Sequence, residues 1–396
     1  MIYSKAFCEE LKPITVTATR TPQTVDETLA SVTVITREQI EQQQARSVTD
    51  VLTGLAGINI SNNGGAGKVS SLFLRGASSS QVLFLVDGIK VGSVTTGTTP
   101  FQNIPIELVD RIEVVRGPRS SLYGSEAIGG VIQIFTRKGG GKVKPFASAG
   151  AGRYDSYDTS AGISGGGDNG WYNLSLTKSK TEGFDSCENQ LMGGCFNIEP
   201  DDDRYKNTSG SAQAGYRFDN GAEIDMHLMR SEGEVEYDGS FANQSDTRFQ
   251  VAGGSLSFNP LDFWQLTLSA GRHWDESRNY LDGMFSNDFD SRRDTYSIQN
   301  DTFIEDNHTL TFGFDYQDDS ISGTTRYDRD SRNNKGLFAQ YLGYFDSQEI
   351  QLSVREDDNQ QFGRQTTGNA GWGYTWNKNF RLYASYGTAF KAPTFN

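Results

Sequence analysis

From residue 143 onward, apolar and polar positions alternate along one segment after another. Thr309-Leu-Thr-Phe-Gly-Phe-Asp-Tyr316 sets Leu310, Phe312, Phe314 and Tyr316 on one face and Thr309, Thr311, Gly313 and Asp315 on the other. Phe380, Leu382, Ala384 and Tyr386 repeat the pattern, as do segments 222–228, 264–270 and 350–354. A period of two marks a half-buried strand. The connections alternate as well. Short turns are expected at 167–170, 219–221, 259–262, 305–307, 346–348 and 377–379, and longer polar loops at 183–205, 230–247, 276–293 and 317–335. One short rim and one long rim describe a transmembrane barrel; a soluble sandwich alternates too, but rarely keeps one rim so short. The spacing predicts about 13 antiparallel strands. Closed bacterial barrels have even strand numbers. An odd count, with no closing strand after Lys391-Ala-Pro-Thr-Phe-Asn396, therefore predicts a partial barrel lacking its carboxy-terminal strands.

Before Gly139-Gly-Gly141 the pattern is mixed. Segments 32–36, 81–86, 111–115 and 131–135 read as strands. Segments 38–43 and 48–55 read as helices, the second with Ser47 as its N-cap and Gly57 beyond its end. This predicts an α+β domain of about 120 residues.

Composition narrows the class. The 396 residues carry 36 Lys+Arg against 50 Asp+Glu, a net charge of −14. Phosphate neutralisation needs clustered bases, so a nucleic-acid binder is disfavoured. The apolar run 82–86 is far too short for a membrane helix. Mean hydropathy is low, at −0.55, yet 17 Tyr, 24 Phe and 5 Trp argue against disorder. Glycine, aromatics and small polar residues without long apolar runs suit a polar-lined barrel.

Cys187 and Cys195 flank seven residues of a Gly-rich segment with no neighbouring His and no zinc spacing. A loop disulfide, formed in an oxidising compartment, is the better reading. Cys8 has no evident partner. Residues 1–6, ending Ser4-Lys-Ala6, read as the tail of a truncated signal peptide. Nothing catalytic assembles. Gly162-Ile-Ser-Gly-Gly166 fits a nucleophile motif but lies in a Gly-rich strand. Gly67-Lys68 resembles a phosphate loop only as far as Val69. His227, His273 and His308 read as polar-face residues of separate strands. No enzyme is expected.

Leu74-Arg-Gly76, Leu85-Val-Asp-Gly88 and Arg111-Ile-Glu-Val-Val-Arg-Gly-Pro-Arg-Ser-Ser-Leu-Tyr-Gly-Ser-Glu-Ala-Ile-Gly-Gly-Val-Ile-Gln-Ile-Phe135 together resemble the plug domain of TonB-dependent outer-membrane receptors. The resemblance covers essentially all of residues 12–138. It implies a membrane all-β fold: an antiparallel transmembrane β-barrel, about 22 strands when complete, around an N-terminal α+β plug. Tyr386-Gly-Thr-Ala-Phe-Lys-Ala-Pro393 is similar to an internal barrel segment of that family. The implied division is 1–11 as signal remnant and flexible N-terminus, 12–19 as TonB box, 20–138 as plug, 139–142 as linker and 143–396 as partial barrel. Lys12, Pro13, Ile14, Thr15, Val16, Thr17, Ala18 and Thr19 form the segment similar to the TonB box. It is β-prone and can add as a strand to a partner sheet; from the residues alone it could equally be a first plug strand. The implied partners are TonB with ExbB and ExbD, and outer-membrane lipid around a monomeric barrel in a Gram-negative cell.

Within the family, 59–76 and 93–100 resemble the two plug loops of cobalamin receptors, the second one residue shorter. That resemblance implies cobalamin contacts at Val69, Ser71, Ser78, Thr95 and Thr96, with Gly239 and Asn279 from the barrel. Residues 183–205 hold six acids and one base, and 231–247 five acids and no base. Ordered together they would repel, unless a hard cation with oxygen ligands intervenes; on charge alone they could be a solvated acidic rim. The resemblance implies calcium at Asp185, Glu199, Asp201, Asp203, Tyr237, Asp238 and Asp246, with Glu199 where the family pattern has an amide. The Cys187–Cys195 bridge would close the same loop, for about 2.5 kcal/mol of chain entropy. The implied function is cobalamin import. A ferric siderophore or another corrinoid is the alternative cargo, and a non-transporting surface binding module or adhesin the alternative of another class.

Overall fold

The computed structural model describes residues 15–16, 20–24, 27–187, 197, 199–305, 307–377 and 380–396. A short ladder of β1 (Thr15–Val16) on β2 (Gln23–Thr24) leads into the plug. There β3 (Ser31–Thr36), α1 (Arg37–Gln43), α2 (Val48–Leu52), β4 (Ile58–Asn62), β5 (Ser70–Leu74), β6 (Val82–Val86), β7 (Ile89–Val91), β8 (Val109–Arg116), α3 (Ser120–Tyr123) and β9 (Gly130–Thr136) follow in order. The five-stranded sheet runs β3-β8-β9-β6-β7, with β4 and β5 as a separate hairpin. All five residues of β6 are buried, which is why it reads as one apolar run rather than an alternation. Thr36 and Gln39 form a reciprocal capping box on α1, and the Ser47 hydroxyl caps α2 by accepting from Asp50 N at 3.0 Å. The second helix ends at Leu52, short of the expected residue 55, because Thr53 turns extended and Gly54 takes φ +85°. The β4–β5 hairpin was illegible because its Asn and Ser positions blur the alternation.

The second body is one antiparallel sheet of 13 strands in chain order. It comprises β10 (Lys144–Gly152), β11 (Ser156–Gly166), β12 (Gly170–Thr181), β13 (Tyr205–Arg217), β14 (Glu223–Glu236), β15 (Gln244–Leu261), β16 (Trp264–Leu281), β17 (Met284–Ile304), β18 (His308–Gly323), β19 (Ser331–Phe345), β20 (Gln348–Asn359), β21 (Gly363–Asn377) and β22 (Phe380–Gly387). Among the described residues β10 and β22 are each paired on one side only. Three expected long loops are corrected. Residues 230–247, 276–293 and 317–335 are mostly strand, leaving connections at 237–243, 282–283 and 324–330. Polar residues on both faces of these extensions mimic loop composition. Ladder pairing nevertheless satisfies their backbone beyond the apolar band. One short turn shifts from 259–262 to 262–263, and part of the turn at 377–379 lies outside the described residues.

Outward positions are apolar through the middle of the strands: Leu174, Leu176, Met226, Leu228, Ile298, Phe312, Phe314 and Leu337 are exposed, as a lipid-facing band requires. The alternate positions, such as Asn173, Ser175, Ser209, Thr311, Gln340 and Gln351, are buried against the plug. His308 departs from the expected polar face. It shares a face with Leu310 and Phe312, bonds the Tyr341 hydroxyl at 2.9 Å and stands 4.9 Å from the Phe345 ring, at the short-turn rim. His227 and His273 do face inward.

The plug core continues into the wall at Met229, Phe249 and Val251. Ile89 fills a notch where β15 and β16 set Gly253 opposite Gly271; a Cβ at Gly271 would stand 2.1 Å from the Ile89 side chain. Neutral hydrogen bonds such as Ser121 Oγ–Ser353 Oγ at 2.8 Å and buried ion pairs add to this contact. Arg355, 1% exposed, reaches Asp315 at 2.5 Å and Asp357 at 2.8 Å, and Arg20 of the plug reaches Asp315 at 2.7 Å. Arg293 bridges Asp319 at 2.8 Å and the plug's Glu126 at 3.3 Å. Losing one member of a buried ion pair strands its partner, typically at about 3–5 kcal/mol. Arg355→Leu is expected to lower the urea concentration at which the complete, folded barrel is lost, and Arg355→Leu with Asp357→Leu to recover part of that loss. Equal stability of wild type and Arg355→Leu would contradict the assignment.

Candidate functional site

The hairpin β4–β5 carries loop 63–69 upward to the long rim, where it docks beneath the loop joining β12 and β13. The docking is close. The Ser186 hydroxyl donates to Gly64 O at 3.1 Å, and a Cβ at Gly67 would stand 2.0 Å from the Tyr205 ring. Lys68, 2% exposed, donates through Nζ to Asp203 O at 3.1 Å. Burial holds its ammonium below the usual lysine value, against the pull of Asp203, Glu236 and Asp238. Lys68 therefore serves as a tether to the barrel loop, a role invisible when Gly67-Lys68 is compared with phosphate loops.

Above this tether the acids gather. Carboxylate oxygens of Glu199, Asp201 and Asp238 lie within 4.8 Å of one another. Glu199 N donates to Asp238 Oδ1 at 3.0 Å, while Asn197 and Asn243 donate to the two Glu199 oxygens at 2.8 and 2.9 Å. Asp238 Oδ2 is buried with no hydrogen bond among the described residues. An orphaned buried carboxylate oxygen beside two further carboxylates is a donor set that fits a hard cation. Asp185 and Asp203 are close enough to act electrostatically on both Asp201 and Asp238. Their own oxygens accept from Cys187 N at 3.0 Å and Ser186 N at 3.1 Å, so they shape the loop. The Tyr237 hydroxyl bonds Ser245 Oγ at 2.9 Å. Asp246 is not brought into the triad: it sits on β15 opposite Glu234 and beside Arg278. The acids of β14 are answered individually, Glu232 by Arg230 and Arg248, Glu234 by Lys206 and Glu236 by Arg204. Cys187 is disulfide-bonded; Cys195 lies outside the described residues.

The expected ligand positions divide between plug and wall. Val69 is 63% exposed at the tip of its loop, and Ser71 is half-buried on β5. Ser78 opens a single turn closed by its capping box with Gln81. In the next loop Thr96 is exposed, whereas Thr95 is buried with its hydroxyl 2.7 Å from Ser93 Oγ. Gly239 lies in the 237–243 connection. Asn279 accepts from Ser245 and Ser277 and donates to Asn287, so the wall beneath Gly239 is a chain of uncharged polar groups. At the opposite rim Thr15 and Val16 pair with Thr24 and Gln23. Lys12, Pro13, Ile14, Thr17, Ala18 and Thr19 lie outside the described residues.

Asp201 lies above the usual aspartate value, first through burial and then through repulsion from Glu199, Asp203, Glu236 and Asp185. Asp238 is raised too, first by burial and then by Asp203, Asp185 and Glu199, with the Glu199 amide opposing. A raised carboxyl is less costly protonated, so without a cation the loop gains stability as pH falls through that range. A cation needs the charged form, so its binding weakens over the same fall. As pH falls from neutral toward the usual aspartate value of about 4, proteolysis at residues 199–204 is expected to slow in the absence of divalent cations; faster cleavage in acid would refute this.

Residues 24–131 match the family model for the TonB-dependent Receptor Plug Domain, and residues 196–396 that for the TonB dependent receptor-like, beta-barrel. The vitamin B12 transporter BtuB of Vibrio cholerae is 36% identical over 96% of this chain and 62% of its own length. The protein of the same name from Photobacterium profundum is 31% identical over the same shares. The chain thus spans about three fifths of the length of the curated relatives it matches. Among solved structures, the siderophore receptor PirA from Acinetobacter baumannii superposes with a TM-score of 0.77 at 19% identity, over 92% of this chain and 61% of that one. The ferric yersiniabactin uptake receptor FyuA from Yersinia pestis gives 0.69 at 16%, over 90% and 64%.

Proposed function

The chain belongs to the TonB-dependent receptors, outer-membrane β-barrel proteins of Gram-negative bacteria rather than enzymes, and on that premise we propose that the complete protein binds cobalamin at the cell surface and imports it to the periplasm. The observation that carries this reading is the shared identity with vitamin B12 transporters along nearly the whole chain. The likeness to siderophore receptors speaks for the fold alone. Electrostatics supports a cargo without strong negative charge. The positions Val69, Ser71, Ser78, Thr95, Thr96, Gly239 and Asn279 are uncharged, and acids crowd the loops above them. Arg293 and Arg355 are already neutralised by carboxylates. An anionic ferric chelate would meet repulsion from those loop acids.

Calcium is the cation that the donor set suits. Glu199, Asp201 and Asp238 would hold it, with Asp185, Asp203 and Tyr237 beside them and Asp246 apart on β15, and the bound ion would supply positive charge that lets acidic loops order together. Ordering before the ligand arrives reduces the cost of binding. Energy comes from the inner membrane through TonB, with ExbB and ExbD. Among the described residues the ladder of β1 on β2 holds two residue pairs, and a competing partner strand can replace so short a ladder at little cost.

Cyanocobalamin titrated into the complete receptor is expected to bind tightly with calcium and weakly in chelator, and Asp201→Ala with Asp203→Ala to remove the difference. Absence of binding under both conditions would move the cargo to a siderophore or another corrinoid. Val16→Pro removes a strand amide and is expected to leave surface binding intact while abolishing uptake into cells; normal uptake would discredit the segment's role.

A further inference from the structure

After β22 the chain does not stay in the wall. Residues 388–396 turn inward and lie across the plug. Phe390 O accepts from Glu126 N at 3.2 Å, Ala392 N donates to Ser125 Oγ at 2.9 Å, and Phe395 N donates to Val94 O at 3.2 Å. From the facing wall, Arg332 on β19 holds this strap by donating to Pro393 O at 2.6 Å, with its guanidinium 4.5 Å from the Phe395 ring centre. The strap thus has fixed ends. In its middle, Lys391 points into the plug.

Its ammonium meets two carbonyls from two different loops: Ser80 O, in the turn that begins at Ser78, and Gly97 O at 3.4 Å, in the loop that carries Thr95 and Thr96. Gly97 takes φ +71°, and a Cβ there would stand 2.7 Å from Lys391 Nζ and 2.6 Å from the Thr394 methyl. The second loop is therefore shaped to receive the strap. Within loop 93–98, Ser93 N donates to Thr98 O and Gly97 N to Ser93 O, each at 2.9 Å, and Ser93 Oγ stands 3.5 Å from Ser291 Oγ of β17. These hold its shape but do not place it relative to Ser78.

We propose that Lys391 is a positioning residue that clamps the Ser78 turn and the second plug loop to each other and to the segment that follows β22. The spacing between Ser78 and Thr96 is then set by the wall. A plug that moves must first surrender two hydrogen bonds from a charged donor. The clamp's effect on ligand rests on the cobalamin reading; its effect on loop order does not.

The test uses the complete receptor in detergent, with hydrogen exchange at 93–98 and cyanocobalamin affinity measured in parallel. Lys391→Met is expected to speed exchange in this loop about tenfold, the loss of one hydrogen bond to a charged group, and to weaken cyanocobalamin by a similar factor. Lys391→Arg, which keeps the charge, is expected to restore most of both. Should Lys391→Met fail to show the gel shift of a folded barrel, Lys391→Gln takes its place. Exchange unchanged by loss of the charge would overturn the proposal, as would equal losses in Lys391→Met and Lys391→Arg. If wild type binds no cyanocobalamin, the cargo assignment falls, and the exchange measurement still decides the clamp.

Discussion

The structure depends on guanidinium groups buried where the plug meets the wall. Arg355 and Arg293 come from barrel strands, and each satisfies carboxylates on its own side of the interface and plug groups on the other. A barrel lined with polar side chains cannot be sealed by an apolar plug, because each lumen group left dry and unpaired would cost free energy. The plug therefore brings Arg20, Glu126 and the carbonyl of Leu122 to complete pairs that the wall begins. Such bonds hold tightly when complete, yet water can replace them one at a time, whereas a continuous apolar seam would resist movement as a whole. The apolar contact is correspondingly patchy, with one patch around Phe249 and the glycine notch that receives Ile89 and another where Leu29 meets Gly371 and Gly373 of β21.

Outside that interface the same strands answer two solvents. Through the apolar band their outward faces carry Leu, Phe and Met; above it the ladders continue with Arg and Glu paired across strands. These extensions raise a polar wall above the plug and leave only short connections at its crest. The acidic cluster occupies part of that crest, and Lys68 ties its base to the plug. Acids, ammonium and plug loop thus share one local charge balance, in which a change at any member alters the cost of the others.

The strap extends this logic from the opposite wall. Lys68 joins the first plug loop to the loop between β12 and β13, and Lys391 joins the second loop and the Ser78 turn to the segment after β22. Both use a flexible stem to carry a compact charge to backbone carbonyls. Each plug loop is thereby referred to a different part of the barrel.

Alternation along the strands needed no partner to be read, because side-chain direction in a strand is local and repeats every two residues. Strand number and the polar lumen followed from it, the plug strands read as short apolar runs, and the motif 111–135 carried the family. Where composition ceased to track structure, reading failed: the polar extensions of β14 to β19 looked like loops, and the β4–β5 hairpin like a loop alone. Of the acidic positions, Glu199, Asp201 and Asp238 converge, while Asp246 faces Glu234, a difference set by strand register rather than by charge. The pairs that hold the molecule together lay beyond reach for a simpler reason. Arg20 and Asp315 are 295 residues apart, and Lys391 and Ser80 are 311 apart. No local spacing encodes such meetings; only the wrapping of the wall against the plug decides which charge finds which partner.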